Sequence, residues 1–112
     1  MGVTGEPDAA VVLTTVASRD DARTIARRLV ESGLAACVQA LPIESTYRWK
    51  GEVVEEFELL LLVKTRRELY EQVEQAVTAA HPYETPEVVM LPVVAGLPAY
   101  LAWLVESTAG DP

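Results

Sequence analysis

What this chain has little of bounds it first. It holds one cysteine, Cys37, and one histidine, His81, in 112 residues. A lone cysteine excludes an intrachain disulfide framework, and no tight Cys/His spacing of the structural-zinc kind is present. Aromatic residues make up 6% of the chain, with Phe57 the only phenylalanine. An RNA-binding sheet needs stacking aromatics on its central strands and a basic face, and this chain offers neither. Basic residues are scarce as well: nine Lys and Arg stand against seventeen Asp and Glu, a formal net charge of −8. Affinity for nucleic acid comes mainly from cations that neutralise phosphates, so no nucleic-acid partner is expected. Apolar runs such as Leu59 to Val63 are far too short to cross a bilayer. No basic start followed by an apolar stretch marks a secretory signal, and Glu6 stands where a myristoylation signal wants Ser or Thr. No membrane partner is expected, and the cytoplasm is the expected location.

Catalytic signatures are missing too. There is no nucleophile–base pair at a recognisable spacing, no Gly-rich phosphate cradle and no cofactor fingerprint. An acylphosphatase-like anion site would want an arginine near the first strand. Arg19 is close, but Asp20 and Asp21 beside it make that loop too acidic. The chain is not expected to be an enzyme.

What is present suits one domain with one core: half the residues are apolar. Residues 1–8 read as a Gly-rich, polar leader, 9–107 as the domain and 108–112 as a tail. Ala9 to Val16 is apolar at alternating positions on both sides, which predicts a buried central strand. Ser18 caps a helix whose apolar stripe is Ala22, Ile25, Ala26, Leu29 and Val30, stopped at Gly33. Leu34 to Trp49 reads as a long second strand, bulged or at a sheet edge near Pro42. Lys50-Gly51 is a hairpin turn, and Val53 to Lys64 is the third strand. Thr65 with Glu68 forms a capping box for a second helix, which ends at Pro82. Glu87 to Val94 is the fourth strand, and Pro98 opens a short last helix.

This order, βαββαβ plus a helix, predicts an α+β ferredoxin-like fold with both crossover helices on one face of an antiparallel sheet. The opposite face should then be polar, yet Leu59 and Leu61 alternate with Leu60 and Leu62, and Val88 and Met90 with Val89 and Leu91. The last helix is too short to cover such a face. A third strand of twelve residues extends to about 40 Å, beyond the reach of a domain this size. An overhanging hairpin and a bare apolar face both predict a homo-oligomer.

One segment, His81-Pro82-Tyr83-Glu84-Thr85-Pro86-Glu87, is distinctive. It resembles the signature of the CutA family, the divalent-cation tolerance proteins. Leu34-Ala35-Ala36-Cys37-Val38, Tyr47-Arg48-Trp49-Lys50-Gly51, Val63-Lys64-Thr65 and Tyr100-Leu101-Ala102-Trp103-Leu104 agree in order and spacing, so the resemblance covers roughly residues 10–106. It implies a tight homotrimer with edge strands pairing between subunits. It also implies likeness to the PII signalling trimers, which hold ligands in clefts between subunits. The family's link to copper and other divalent ions is largely a tolerance phenotype.

Candidate site residues follow. His81 is a candidate metal ligand, since imidazole suits copper and zinc; its alternative is a helix C-terminal role. Cys37 could add a thiolate or be a small packing residue. Glu84 and Glu87 could take a cation or pair with a base. Lys64, ahead of a capped helix start, could hold an anion or face solvent. Tyr83 and Pro86 shape the loop and could touch a small ligand. Tyr47, Trp49, Tyr100 and Trp103 are expected at trimer contacts. The expected function is a trimeric cation-tolerance protein that binds copper or another divalent cation weakly, or a small ligand between subunits. The alternative is a trimeric scaffold or anchor for other proteins, with incidental metal binding.

Overall fold

The first strand, β1 (Ala9–Val16), lies between two partners, as its two-sided apolarity requires. The structure is a computed structural model that describes residues 8–108. The expected leader, apart from its last residue, and the tail, apart from its first, lie outside those residues. The elements run β1, α1 (Arg19–Glu31), β2 (Cys37–Trp49), β3 (Glu52–Arg66), α2 (Tyr70–Ala80), β4 (Val89–Pro92) and α3 (Pro98–Glu106), with one 3-10 turn at Arg67–Leu69 before α2. The antiparallel sheet has the order β2-β3-β1-β4. That is the ferredoxin-like order with the two halves interleaved.

The sequence signals for α1 act as expected. The Ser18 hydroxyl accepts the Asp21 amide at 3.1 Å, filling one of the orphan donors of the first turn. At the other end Gly33 turns to φ +76°. Leu34 then donates to the Leu29 carbonyl and Gly33 to Val30, the paired bonds of a glycine helix stop. Ala22, Ile25 and Leu29 are buried against Val12, Val16, Leu61 and Val63 of the sheet and Val73 and Val77 of α2. This single core fixes the helices on one face.

Two expectations are corrected and another is narrowed to one of its alternatives. Thr65 caps no helix: β3 runs on to Arg66, paired with Ala9, and the Thr65 hydroxyl donates to the buried Leu34 carbonyl at 2.7 Å. The helix starts only at Tyr70, with no side-chain cap. Second, of the two alternatives at Pro42 the sheet edge holds and the bulge does not occur. β2 pairs with β3 without a bulge from Cys37 to Trp49, and as the outer strand it can turn the missing amide to solvent. Third, β4 is four residues long rather than eight, because it pairs only along Ala10 to Leu13 of β1.

The overhang is real. β1 reaches only as far as Leu59 of β3, so Ile43 to Trp49 and Glu52 to Glu58 pair solely with each other. They form a two-stranded arm about 23 Å long, and the molecule measures 49 × 28 × 21 Å. The arm closes at Lys50 (φ +50°) and Gly51 (φ +83°), the two positive-φ positions of a tight hairpin turn. The side chains of Phe57, 76% exposed, and Val53 stand on one side of the arm, and Tyr47 and Trp49 on the other. Across the body, α3 lies over part of the face that α1 and α2 leave open. There Arg66 donates through Nε to the Thr108 carbonyl (3.0 Å) and hydroxyl (3.1 Å), and through Nη2 to the same carbonyl.

Candidate functional site

Where the arm leaves the body, the loop after α2 folds against it and a cleft of about 950 Å³ opens. Strand alternation aims Ser45, Tyr47 and Trp49 of β2 to one side, together with Glu56 and Glu58 of β3. The loop brings Tyr83, Glu84, Pro86 and Glu87 opposite them, and Thr15 at the end of β1 forms part of the base.

His81 anchors this loop. Its Nε2 lies 2.8 Å from the Thr15 carbonyl, and the Tyr83 amide donates to its Nδ1 at 3.1 Å. A carbonyl can only accept and an amide can only donate. The ring is therefore the neutral tautomer that carries its proton on Nε2. Its plane also packs against Tyr83, with centroids 4.6 Å apart. The chain needs this outside anchor because Pro82 ends α2 and leaves the loop without helical bonds.

Tyr83 carries the anchor on to the arm, where its hydroxyl donates to Glu58 Oε2 at 2.8 Å. Glu58 is buried. Burial pushes the Tyr83 phenol well above its ordinary range, and the Glu58 carboxylate adds to the shift by accepting its proton and by its charge. Tyr47 donates to Glu56 at 2.6 Å, and that bond, with further help from nearby negative charge, moves its pKa up to about 12. At the mouth, Lys50 Nζ lies 3.7 Å from Glu84, with both side chains mostly exposed. Such a pair contributes little. The cleft as a whole is strongly acidic and walled by aromatic side chains.

The residues singled out by sequence divide into two groups. Glu84, Glu87, Tyr83, Pro86, Tyr47 and Trp49 meet in the cleft, and His81 supports it. Cys37 and Lys64 do not join them. They face each other across β2 and β3, four residues along β3 from Leu60, the partner of Thr15, or about 13 Å away. Lys64 stands away from the start of α2 and lies over the Tyr100 ring at 5.9 Å. Tyr100 in turn packs on Trp103 at 5.5 Å, and both remain half exposed on α3. Among the described residues no three His, Cys, Asp or Glu side chains come together closely enough to hold a metal ion. The acidic members that the sequence reading passed over are Glu44, Glu56 and Glu58. For two of them a signal was available: Glu56 and Glu58 share a strand face, in phase with Ser45, Tyr47 and Trp49 across the ladder.

Comparison with known proteins agrees with this architecture. Residues 10–107 match the family described as CutA1 divalent ion tolerance protein. The chain is 54% identical over 99 residues to the divalent-cation tolerance protein CutA of Thermus thermophilus, covering 88% of this chain and 96% of that one. It is 44% identical to the chloroplastic protein CutA of Arabidopsis thaliana, of which it spans 54%. A solved structure of a divalent cation tolerance protein from Thermus thermophilus superposes with a TM-score of 0.87 at 53% identity, over 90% of this chain and 99% of that one.

Proposed function

Because the chain belongs to the CutA1 family of divalent ion tolerance proteins, we propose that it works as a homotrimeric cation-binding protein whose ligand site is the cleft between arm and loop. The observation that carries this reading is the cleft itself. Five glutamates line it, and among the described residues the lone basic group paired with one of them is Lys50, in a long, exposed contact. A site of that charge attracts cations and repels anions.

A divalent ion is the occupant that the family description suggests, and copper is the first candidate to test. Carboxylate oxygens suit such ions, and Glu84 and Glu87 are the candidates to hold one. With no three donors converging among the described residues, an ion in one subunit would keep most of its water, and binding would be weak. His81 serves by holding the loop, because both of its ring nitrogens are already engaged.

The trimer part of the reading draws support from the overhanging arm and the open sheet face. Both leave apolar side chains in solvent in a single copy: Phe57, Val53, Leu41, Val89 and Leu91. Native mass spectrometry of metal-stripped protein, repeated with stepwise copper and zinc, tests both parts at once. The expected result is a trimer that takes up one ion per chain, with uptake reduced in Glu84→Gln and Glu87→Gln. A trimer that ignores both ions would sink the metal reading and favour a scaffold, and a monomer would sink the assembly.

A further inference from the structure

The cleft is large for a metal ion. One water takes about 30 Å³, whereas the cleft offers about 950 Å³, within the range of small-molecule sites. Its carboxylates are spread along its length instead of meeting at a point. Its deepest charge is Glu58, only 7% exposed. Oε2 of Glu58 accepts from Tyr83, but none of the described ion pairs reaches this carboxylate. A buried carboxylate ordinarily has a cation for a partner, since taking an unmatched charge out of water is costly. A neutral ligand would leave that charge unmatched, and an anion would be repelled.

Beside these carboxylates stand the aromatic side chains of Tyr47, Trp49 and Tyr83. Aromatic faces attract ammonium groups and give an alkyl chain a surface to pack on. We propose that the cleft takes a small organic polycation, an aliphatic chain with two or more ammonium groups. One ammonium pairs with Glu58 and another with the Glu84–Glu87 wall, while the methylenes between them lie along the aromatic side chains. This inference rests on the reading of the cleft as the ligand site and names the class of ligand.

Isothermal titration calorimetry on the full-length, metal-stripped protein tests it. The probes are 1,4-diaminobutane, spermidine and copper, in about 0.15 M salt so that diffuse attraction to an acidic protein is screened. A saturable site with one diamine or spermidine per chain is expected. Glu58→Gln keeps the shape and an oxygen for the Tyr83 hydroxyl, and should weaken binding about tenfold, as should Trp49→Ala. The double variant Glu71→Gln/Glu106→Gln removes two exposed charges outside the cleft and should bind like the parent. Circular dichroism checks that each variant is folded.

No saturable amine binding, or an equal loss in the control variant, overturns the proposal. Copper uptake without amine binding overturns it while leaving the cation-site reading in place. Amine binding without copper uptake supports it and removes the metal. Failure of both probes removes the cleft as a ligand site.

Discussion

At the scale of single residues, two polar side chains have unusual surroundings. Thr14 sits in β1, fully buried, and its hydroxyl has no hydrogen-bond partner. An unmatched buried hydroxyl carries a desolvation penalty of about 1–3 kcal/mol. Thr14→Val removes it at nearly the same volume, and should raise stability by about 1 kcal/mol, read as a higher denaturant midpoint with an unchanged slope. Tyr47 is the second case. Its pKa is about 12 in the folded chain against 10.0 for the free phenol, because Glu56 accepts its proton. The folded state therefore holds that proton more tightly than the unfolded state. The contribution is whole below pH 10, and it fades as pH rises from 10 through 12. Tyr83, shifted in the same direction, adds to the fall. Thermal midpoints measured against alkaline pH should drop less steeply in Tyr47→Phe and Tyr83→Phe than in the parent.

At the scale of elements, turn chemistry was the most legible part of the sequence. Ser18, Gly33, Lys50-Gly51, Pro82 and Pro98 each mark a boundary that the backbone obeys, since each acts through its own φ angle or its own hydrogen bond. Gly51 shows the size of such an effect. At φ +83° a Cβ would meet no atom within 4 Å, so Gly51→Ala should cost about 1–2 kcal/mol from backbone conformation alone. Amide exchange should report it, with protection lost first along the arm. What stayed hidden was tertiary. Thr65 followed by Glu68 has the local form of a cap, but the hydroxyl is claimed by Leu34, far away in sequence. No local rule could see that bond. The cleft was half legible for the same reason. The loop residues His81 to Glu87 form one contiguous motif. The carboxylates they face come from β3 and become neighbours only when the loop crosses over, so Glu58 could not be assigned to Tyr83 from spacing.

At the scale of the whole molecule, the chain is built as a body and an arm, and only the body has a core. A two-stranded hairpin is marginal in water without something to pack on. The arm offers contact surface to other copies on the side of Phe57 and Val53, while Tyr47 and Trp49 on its other side line the cleft. If other copies of the chain supply the missing support, folding is linked to assembly by mass action. The unfolding midpoint should then climb with protein concentration, and Phe57→Asp should lower it and shift native mass spectra toward smaller species. A midpoint that does not move over a wide dilution series would mean that the arm stands without neighbours.

The position of Pro42 bears on a different hazard. β2 forms the outer rim of the sheet from end to end, thirteen residues of continuous strand. A long free rim is a template on which further chains can stack, and stacking without closure makes fibres. A proline in the middle of that rim interrupts the row of amide donors that an unlimited ladder would need. The same strand can then offer short stretches for pairing on either side of Pro42 while refusing endless addition. For a chain that leaves so much strand edge uncovered, this one imino acid is a safeguard against polymerisation.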